Sequence, residues 1–490
     1  MTQYIVSLDV GTSSVRTVLY DVQGRGLPDS ETQIKYQART TPDGGSELDP
    51  AMLLDSAAKV VDGALALVPR GDTVVGVAID TLWHSILGVD ARDEAITPLY
   101  TWADTRSVPY VDELKGKLDE RGAYARTGCI VHPSYPPVRL LWLARTRPDL
   151  WTRVARWISF GEYLHLRLFG KAVCSFSMAS GTGLLDVHAC AWDDEVLRAV
   201  GLDAGKLSPL GDRFVDSAES GLRGEWAARW PALSDVPWFP ALGDGACGNI
   251  GSGCVDRGRI ALMVGTSGAM RVVYDKPDTA VVPGLWFYRV DRQRPILGGA
   301  LSEGGNIFAW LRATMRFGEI PEMEAEIAAI EPDAHGLTIL PFLAGERSPD
   351  WVASARGTIS GLTLATRPAD IARAVYEAIA YRFADVGRRL APLVTADAPI
   401  IASGGALLQS PIWMGIMADV LGRPVMALQE HESSSRGAAL LALDALGLLP
   451  LAEVQTALGS TYEPNLRNHE RYQEAIARQT HLYNLLVKPG

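Results

Sequence analysis

The chain has 490 residues, of which 46 are Lys or Arg and 57 are Asp or Glu, and its net charge is −11 at pH 7. Charged residues make up 21% and hydrophobic residues 47%, which excludes extended disorder and fibrous classes and allows large buried cores. The length alone predicts about three domains at roughly 150 residues each. No basic block is present that could follow a nucleic-acid backbone, so we expect no nucleic-acid partner.

The cysteines and the apolar segments bear on the compartment. The five cysteines contain no Cys-x-x-Cys pair and are odd in number, which argues against a zinc ribbon and a disulfide framework. This usage fits a reducing compartment. Residues 1–9 lack a basic region and contain Asp9, unlike a signal peptide, and the apolar stretch 437–452 is broken by Asp444 and Pro450. We therefore expect a cytoplasmic protein with no membrane partner.

An internal repeat organises the chain. Residues 8–21 (LDVGTSSVRTVLYD) recur as residues 262–275 (LMVGTSGAMRVVYD), about half the chain later. Each copy is an apolar run, a Gly-Thr-Ser turn and a second run rich in β-branched residues, a pattern typical of a β-hairpin. The repeat predicts two related halves. The alternative is a chance similarity between two short hairpins.

The remaining elements alternate between strand and helix patterns. Short apolar runs predict strands over residues 73–79, 259–264, 338–343 and 399–402. Apolar residues at helical spacing, with Pro368 suited to a first turn, predict a helix over residues 368–390. This alternation indicates an α/β protein. The Gly-rich stretch 243–253 is the best boundary, and we predict domains of residues 1–248 and 249–490.

The two turns suggest a phosphate clamp. A Gly-Thr-Ser turn offers consecutive backbone N–H groups and two hydroxyls with little side-chain bulk, which suits phosphate oxygens. The first copy adds Asp9, which can hold Mg²⁺, and Arg16, which can meet phosphate. The second has Met263 and Met270 at those positions, so we expect it to supply only hydrogen-bond donors. The asymmetry favours phosphoryl transfer; ordinary hairpin turns are the alternative.

Phosphoryl transfer to an alcohol also needs a group that accepts the hydroxyl proton. Asp244 is flanked by Gly243 and Gly245, which leave room for a substrate, and it lies shortly before the second turn. We interpret Asp244 as the general base, although a turn aspartate of this kind is often structural.

Two Gly-rich segments suggest a nucleotide site. Residues 403–406 (SGGA) follow a predicted strand and precede a helical pattern, and residues 301–311 contain Gly304 and Gly305. Small residues at such turns let a base or a phosphate approach the backbone closely, but they are also ordinary helix-entry turns. Neither segment contains a P-loop or a Rossmann fingerprint.

Taken in order, these segments resemble the FGGY carbohydrate kinases over essentially the whole chain. The matching motifs are residues 9–14 (DVGTSS), 102–106 (WADTR), 243–245 (GDG), 265–267 (GTS), 345–351 (GERSPDW), 355–357 (ARG), 403–406 (SGGA) and 435–439 (SRGAA). The resemblance implies an α/β fold of two actin-like, ribonuclease-H-like ATPase domains with a cleft between them. It also implies a sugar substrate and the cofactors ATP and Mg²⁺.

Within that family the chain looks most like the gluconate kinases. The suggestive segments are residues 83–85 (WHS), 127–128 (TG), 132–133 (HP), 140–143 (LLWL) and 264–271 (VGTSGAMR). This similarity implies phosphorylation of D-gluconate to 6-phospho-D-gluconate. Trp83 and Arg139 stand where relatives often have methionine and lysine, which leaves xylulose, ribulose or a polyol as alternative acceptors.

The candidate site residues follow from the residues and the resemblance together. Asp244 is the catalytic candidate, and Asp9 is the candidate metal ligand. The candidates for cofactor binding are Asp9, Gly11, Thr12, Ser13, Arg16, Gly265, Thr266, Ser267, Gly305, Gly404, Gly405, Ala406 and Ser410.

The sugar site has its own candidates. An open-chain sugar acid needs a cation together with aromatic and polar edges. The candidates for substrate binding are His84, Trp102, Asp104, Arg106, His132 and Asp244. Each also has a structural alternative, such as an Asp104–Arg106 ion pair. We interpret residues 345–351, with Arg356, chiefly as an ion-pair cluster that braces the second domain.

Two other classes compete with a sugar kinase. An actin-like ATPase without a sugar acceptor, such as a chaperone or filament protein, would use the same clamp. A catalytically inactive sugar sensor would lose the base or the metal carboxylate, but Asp244 and Asp9 are both present. A homodimer is a family-level expectation.

Overall fold

Two β-sheets, one in each half of the chain, organise the computed structural model, which describes residues 1–212, 221–274 and 279–488. The strands of the first half are β1 Gln3–Val10, β2 Ser14–Asp21, β3 Thr32–Lys35, β4 Arg39–Thr40, β5 Ser46–Leu48, β6 Thr73–Thr81, β7 Leu87–Val89, β8 Leu99–Tyr100, β9 Arg156–Ile158, β10 Leu185–Asp186, β11 Ala191–Trp192 and β12 Leu242–Gly243. The strands of the second half are β13 Ile260–Val264, β14 Gly268–Val273, β15 Trp286–Arg289, β16 Pro295–Leu301, β17 Thr338–Leu340, β18 Thr358–Ser360, β19 Ile400–Ser403, β20 Val425–Leu428 and β21 Leu458–Tyr462.

Helices cover and connect these sheets. The α-helices of the first half are α1 Pro50–Leu67, α2 Val111–Lys115, α3 Glu120–Thr127, α4 Pro136–Thr146, α5 Pro148–Arg153, α6 Phe160–Phe169, α7 Phe176–Ser180, α8 Asp194–Val200, α9 Gly224–Arg229 and α10 Asp244–Gly251. Those of the second half are α11 Gly305–Thr314, α12 Ile320–Ala328, α13 Pro368–Leu390, α14 Gly405–Leu408, α15 Pro411–Leu421, α16 Ser433–Ala445 and α17 Leu466–Leu486. Short 3₁₀ helices span Val108–Tyr110, Ala204–Lys206, Pro231–Leu233, Ala391–Leu393 and Leu451–Glu453.

The two large sheets share one topology. In the first, the order is β12-β6-β1-β2-β3; β1, β2 and β3 are antiparallel neighbours, whereas β6 and β12 run parallel to β1. In the second, β20-β19-β13-β14-β16 repeats that arrangement, and β15 and β21 extend its edges. The predicted pair of related halves is therefore confirmed.

The two hairpins differ in register by one residue. In the first, Asp9 lies opposite Arg16, and the Gly11 N–H donates to Ser14 O at 2.9 Å. In the second, Met263 lies opposite Ala269, and the Gly265 N–H donates to Ser267 O at 3.0 Å. The second turn is one residue shorter. A one-residue slip moves each side chain of the returning strand to the other face of the sheet.

Most predicted elements are confirmed. The helix predicted over residues 368–390 is α13, which begins with Pro368 and has Asp370 accepting the Arg367 N–H at 2.8 Å. The predicted strands correspond to β6, β13, β17 and β19, although β17 ends three residues early. The last residue of the second repeat, Asp275, lies outside the described residues.

The Gly-rich stretch proposed as the boundary is largely helical. It forms α10, which crosses α16 with the two backbones in direct contact. A Cβ at Gly251 would lie 1.8 Å from Ser433 O, and a Cβ at Gly437 would lie 1.8 Å from Cys247 O. Only glycine permits this approach. The predicted division at residue 248 falls inside α10 and stays a prediction.

Helix α16 also joins the halves. The Ser7 hydroxyl of β1 donates to Ser435 O of α16 at 2.7 Å, so a helix from the second half packs on the first sheet. The cleft between the sheets is therefore built by both halves. Within the described ranges, no helix combines the length and the apolar character that crossing a membrane requires.

Candidate active site

A cavity of about 270 Å³ lies between the two hairpins. Its wall includes Thr12 from the first Gly-Thr-Ser turn, Ser267 from the second, and Asp244 from the start of α10. His84 and Trp102 also line it. The structure thus brings together the predicted base, both predicted phosphate turns and two of the predicted sugar-binding residues.

Asp244 occupies the first position of α10, directly after β12. Its neighbours must be small, because a Cβ at Gly243 would lie 1.9 Å from the Trp83 ring and one at Gly245 would lie 2.5 Å from it. The Gly245 N–H donates to the Asp244 carboxylate at 2.7 Å. Burial raises the pKa of Asp244, and the nearby Arg271 guanidinium opposes that rise. A carboxylate with a raised pKa in a cavity is suited to accept a hydroxyl proton.

Asp9 is the penultimate residue of β1 and faces Arg16 across the hairpin. Arg16 Nε lies 3.4 Å from the Asp9 carboxylate, and the same guanidinium also pairs with Glu432 of the second half. Burial raises the pKa of Asp9 to about 6, although Arg16 lowers it. Within the turn, Ser13 is exposed and Gly11 O accepts the Tyr36 hydroxyl at 2.6 Å.

Asp80 is a carboxylate that the sequence analysis missed. It lies in register with Asp9 on the neighbouring parallel strand β6 and is completely buried. Burial and the Asp9 and Asp244 carboxylates raise its pKa well above the usual range. The available signal was a charged residue in an otherwise apolar strand, at the same distance from its carboxyl end as Asp9. Asp9 and Asp80 together offer the hard oxygen donors that Mg²⁺ prefers.

Three Gly-rich segments meet at the second turn. The Gly305 N–H donates to Gly265 O at 2.6 Å, and the Asn306 N–H donates to Thr266 O at 3.1 Å. Gly404 has a φ of 90°, and a Cβ there would lie 2.5 Å from Val264 O. Gly405 has open space around its Cβ position, where the nearest atom beyond its neighbours is Gln409 Nε2 at 3.8 Å. The predicted adenosine side is thus one continuous surface of small residues that also includes Ala406.

Ser410 has another role in the structure. Its hydroxyl caps α15, accepting the Trp413 N–H at 3.2 Å, and it donates to Glu324 at 2.8 Å. It does not line the cavity. Its predicted contact with the nucleotide stays a prediction.

His84 presents a neutral ring to the cavity. Its Nδ1 lies 2.5 Å from Gly181 O, so this nitrogen carries the proton and Nε2 remains an acceptor. Burial lowers the pKa of His84 to about 3. The Arg347 guanidinium lies over the rings of both Trp102 and Trp351, at 5.8 Å from each ring centre.

Three predicted sugar-binding residues do not line the cavity. Asp104 is buried and accepts Arg106 Nη2 at 2.5 Å and the Ser46 N–H at 3.2 Å. Arg106 also bonds Glu47 at 2.7 Å and stacks on Trp142. This network braces the loop that presents Trp102. His132 contacts Trp351 edge to face, with ring centres 5.4 Å apart, and so lies behind the cavity wall.

Two arginines that line the cavity were missed as site residues. Arg271 of β14 donates to Gly245 O at 3.2 Å, so the expectation that the second hairpin supplies only hydrogen-bond donors of the turn is wrong. The register slip explains this, because it turns Arg271, rather than Met270, to the cleft face of the sheet. Arg347 was interpreted as part of a brace. Its neighbour Glu346 does brace the second half through Arg382 and Tyr483, whereas Arg347 faces the cavity.

Comparison with known proteins agrees with this geometry. Residues 4–251 match the model of the FGGY family of carbohydrate kinases, N-terminal domain, and residues 260–446 match the C-terminal domain. The chain is 28% identical to a gluconokinase of Bacillus subtilis over 477 residues, covering 94% of this chain and 91% of that relative.

Solved structures show the same architecture. A gluconate kinase from Lactobacillus acidophilus superposes with a TM-score of 0.91 at 28% identity, covering 100% of this chain and 99% of that one. A ligand-bound xylulose kinase from the same organism gives 0.92 at 29% identity, covering 99% of each. With both family domains matched in order along the chain, the protein belongs to the FGGY carbohydrate kinases and is a kinase of a sugar or sugar-like compound.

Proposed function

We propose that the protein transfers the γ-phosphoryl group of ATP to the terminal hydroxyl of D-gluconate, giving 6-phospho-D-gluconate and ADP. Asp244 is the general base. It accepts the proton of the attacking hydroxyl, the oxygen bonds the γ-phosphorus, and ADP leaves.

The observation that supports a sugar acid is the pair of cavity arginines. Arg271 is 9% exposed, and its bond to a described partner is the one to Gly245 O. Arg347 contacts the rings of Trp102 and Trp351. Neither arginine forms an ion pair with a carboxylate within the part of the chain that the structure describes. Arg271 is buried and Arg347 is half-buried. Because guanidinium groups withdrawn from water need anionic partners, these two suit the carboxylate of an aldonic acid better than a neutral ketose or polyol.

The nucleotide fits the other end of the cleft. Both Gly-Thr-Ser turns offer donors to the phosphates, and the small-residue surface of residues 305 and 404–406 suits the adenosine. Asp9 and Arg16 lie beside the first turn. A magnesium ion held at Asp9 would neutralise charge on the β- and γ-phosphates.

The alternatives differ in the acceptor. Xylulose, ribulose and polyol kinases share the fold, and their acceptors carry no carboxylate for the arginines. An actin-like ATPase without a sugar acceptor is disfavoured by membership in a carbohydrate kinase family. We also propose a cytoplasmic location, which the five free cysteines support, and keep the domain division at residue 248 and the homodimer as proposals.

A substrate panel tests the proposal. ADP release is measured with D-gluconate, its neutral counterpart D-glucitol, D-xylulose and D-ribulose, and gluconate should be the preferred acceptor. In Arg271→Gln and Arg347→Gln, the KM for gluconate should rise about 10- to 100-fold, since a charge-assisted hydrogen bond is lost. Turnover of neutral acceptors should not fall in parallel.

The matched control is Arg388→Gln, an exposed arginine of α13 that pairs with Asp385. It should leave all acceptors unchanged. Preference for a neutral ketose over gluconate, with no effect of either cavity arginine on the KM for gluconate, would reject the sugar-acid assignment while leaving a carbohydrate kinase.

A further inference from the structure

Asp80 lies beside Asp9 at the end of the first sheet. The strands β1 and β6 are parallel, and their register pairs Asp9 with Asp80. Side chains of directly paired residues project to the same face of a sheet. The next strand, β12, pairs Leu242 with Asp80 and leads straight into Asp244. The three carboxylates therefore stand at the carboxyl ends of three adjacent strands.

Asp80 lacks the partners that other buried acids of this chain possess. Its exposure is 0%, no described N–H group donates to either carboxylate oxygen, and the side chain within hydrogen-bonding contact of it is the Asp9 carboxylate. Glu377, equally buried, is bonded by Arg373 at 2.6 Å and by the hydroxyls of Tyr381 and Tyr472. Glu346 has Arg382 and Tyr483. Buried acceptors without donors are rare in native proteins, so Asp80 calls for an explanation.

The charges around Asp80 indicate what could bind it. The neighbour that Asp80 faces is another carboxylate, Asp9, and two acceptors stay together only by sharing a proton or a cation. Arg16 is already engaged by Asp9 and Glu432, and Asp80 has no ion pair among the described side chains. A position between Asp9 and Asp80 therefore combines negative charge with oxygen donors, and the nearby cation, Arg16, is shared between Asp9 and Glu432.

We propose that Asp80 is a ligand of the divalent cation, directly or through a bound water, and shares that cation with Asp9. The inference rests on the proposed use of a divalent metal at Asp9 and does not depend on which sugar is phosphorylated. Strand β6 continues into Trp83 and His84, which line the cavity, so the cation site and the sugar wall share one strand end.

Direct metal binding tests the inference without turnover. Binding of Mn²⁺ alone, and of Mn²⁺ in the presence of ADP, is followed by electron paramagnetic resonance for the full chain, Asp80→Asn and Asp80→Ser. Each variant should bind Mn²⁺ about 10- to 100-fold more weakly, as loss of a supporting carboxylate does at other metal sites. Asp55→Asn, an exposed carboxylate of α1, is the matched control and should bind as the unmodified protein does.

Thermal unfolding gives a second readout. Without metal, Asp80→Asn should raise the Tm, because it removes a buried carboxylate that faces another. Mg²⁺ should raise the Tm of the unmodified protein and leave that of Asp80→Asn nearly unchanged. A cooperative thermal transition at a raised Tm would show that Asp80→Asn is folded, so its weak Mn²⁺ binding could not be ascribed to unfolding.

The outcomes separate this inference from the proposed function. Mn²⁺ affinity in both Asp80 variants equal to that of the unmodified protein, with Asp9→Asn binding weakly, would overturn the role of Asp80 and leave a proton shared between the two acids. Loss of binding in the Asp80 variants supports the inference even if gluconate is not the acceptor.

Discussion

The two hairpins of this protein share a turn and differ in the charges that they place in the cleft. The first sets Asp9 opposite Arg16, which also pairs with a second acidic group, Glu432. In the second, Met263 lies opposite Ala269, and Met270 is completely buried. A cation nevertheless reaches the cavity from the second hairpin, one residue later, at Arg271.

Turn length accounts for this difference. Thr17, the counterpart of Arg271, lies on the face away from the cleft, where its hydroxyl donates to Val60 O of α1 at 2.8 Å. The shorter second turn flips that position to the cleft face. Because the second turn is one residue shorter, the position that packs on α1 in the first hairpin lines the cavity in the second. Under the proposed function, the first hairpin would serve the metal and the phosphates, and the second would serve the anionic group of the acceptor.

The largest expected effect concerns the carboxylate that lies between the hairpins. Asp244→Asn should lower kcat about 10²- to 10⁴-fold, because the general base is lost. Binding of ATP and sugar should be retained, since the amide has the same shape. Steady-state kinetics and calorimetric titration measure these quantities. A kcat close to that of the unmodified enzyme would remove Asp244 from the mechanism and leave the hairpins without a base.

The charge asymmetry of the hairpins can be tested at matched positions. Asp9→Asn should raise the Mg·ATP concentration needed for half-maximal rate about 10- to 100-fold, since a metal carboxylate is lost. Met263→Leu, at the counterpart position in the second hairpin, conserves volume and should change the same parameter little. Titrations of Mg²⁺ at fixed ATP measure both. Equal effects of the two substitutions would show that the copies are not functionally divided.

The loss of activity at low pH tests the carboxylates Asp9 and Asp244. Burial raises the pKa of Asp9 to about 6 and also raises that of Asp244, so both acids bind protons at a higher pH than ordinary aspartates. Protonation removes the base and the metal ligand, so activity is lost as the pH falls. We expect kcat/KM to decrease below about pH 6, two pH units above the usual aspartate range. An acid limb centred near pH 4 would contradict this environment.

Local patterns sufficed for much of this architecture. Short stretches of consecutive residues predict three features: the repeat of residues 8–21, the helix Pro368–Leu390, and the strands near whose ends Asp9 and Ser403 lie. Asp244 could be singled out from the sequence because two glycines flank it and a Gly-Thr-Ser turn follows it. These signals lie within one element and need no knowledge of its neighbours.

The rest of the site depends on contacts between distant elements. Arg106 is bonded by Glu47 of β5 and by Asp104, whereas Arg347 lines the cavity and pairs with no described carboxylate. Arg271 depends on a register that differs by one residue from its sequence repeat. The role of Asp80 is recognisable only beside Asp9, from which four strands and helix α1 separate it along the chain. Strand pairing places Arg271 and Asp80, and ion pairs between distant segments hold Arg106.

The smallest expected effect separates the two turns by stability. Gly404, which abuts the second hairpin, has a φ of 90° and little room before Val264 O, so Gly404→Ala should lower the free energy of unfolding by about 1–3 kcal/mol. At Gly11 of the first turn, a Cβ would meet Ser14 O at 3.5 Å, an ordinary contact, and φ is not positive. Gly11→Ala should therefore change stability by less than about 1 kcal/mol. Thermal unfolding without nucleotide compares the variants, and each kcal/mol corresponds to roughly 2–4 °C in Tm for a domain of this size.

Equal Tm values for the two variants would mean that Gly404 does not hold the second turn. In that case the close contact between Gly404 and Val264 could not be what keeps the shorter turn, and with it Arg271, in place.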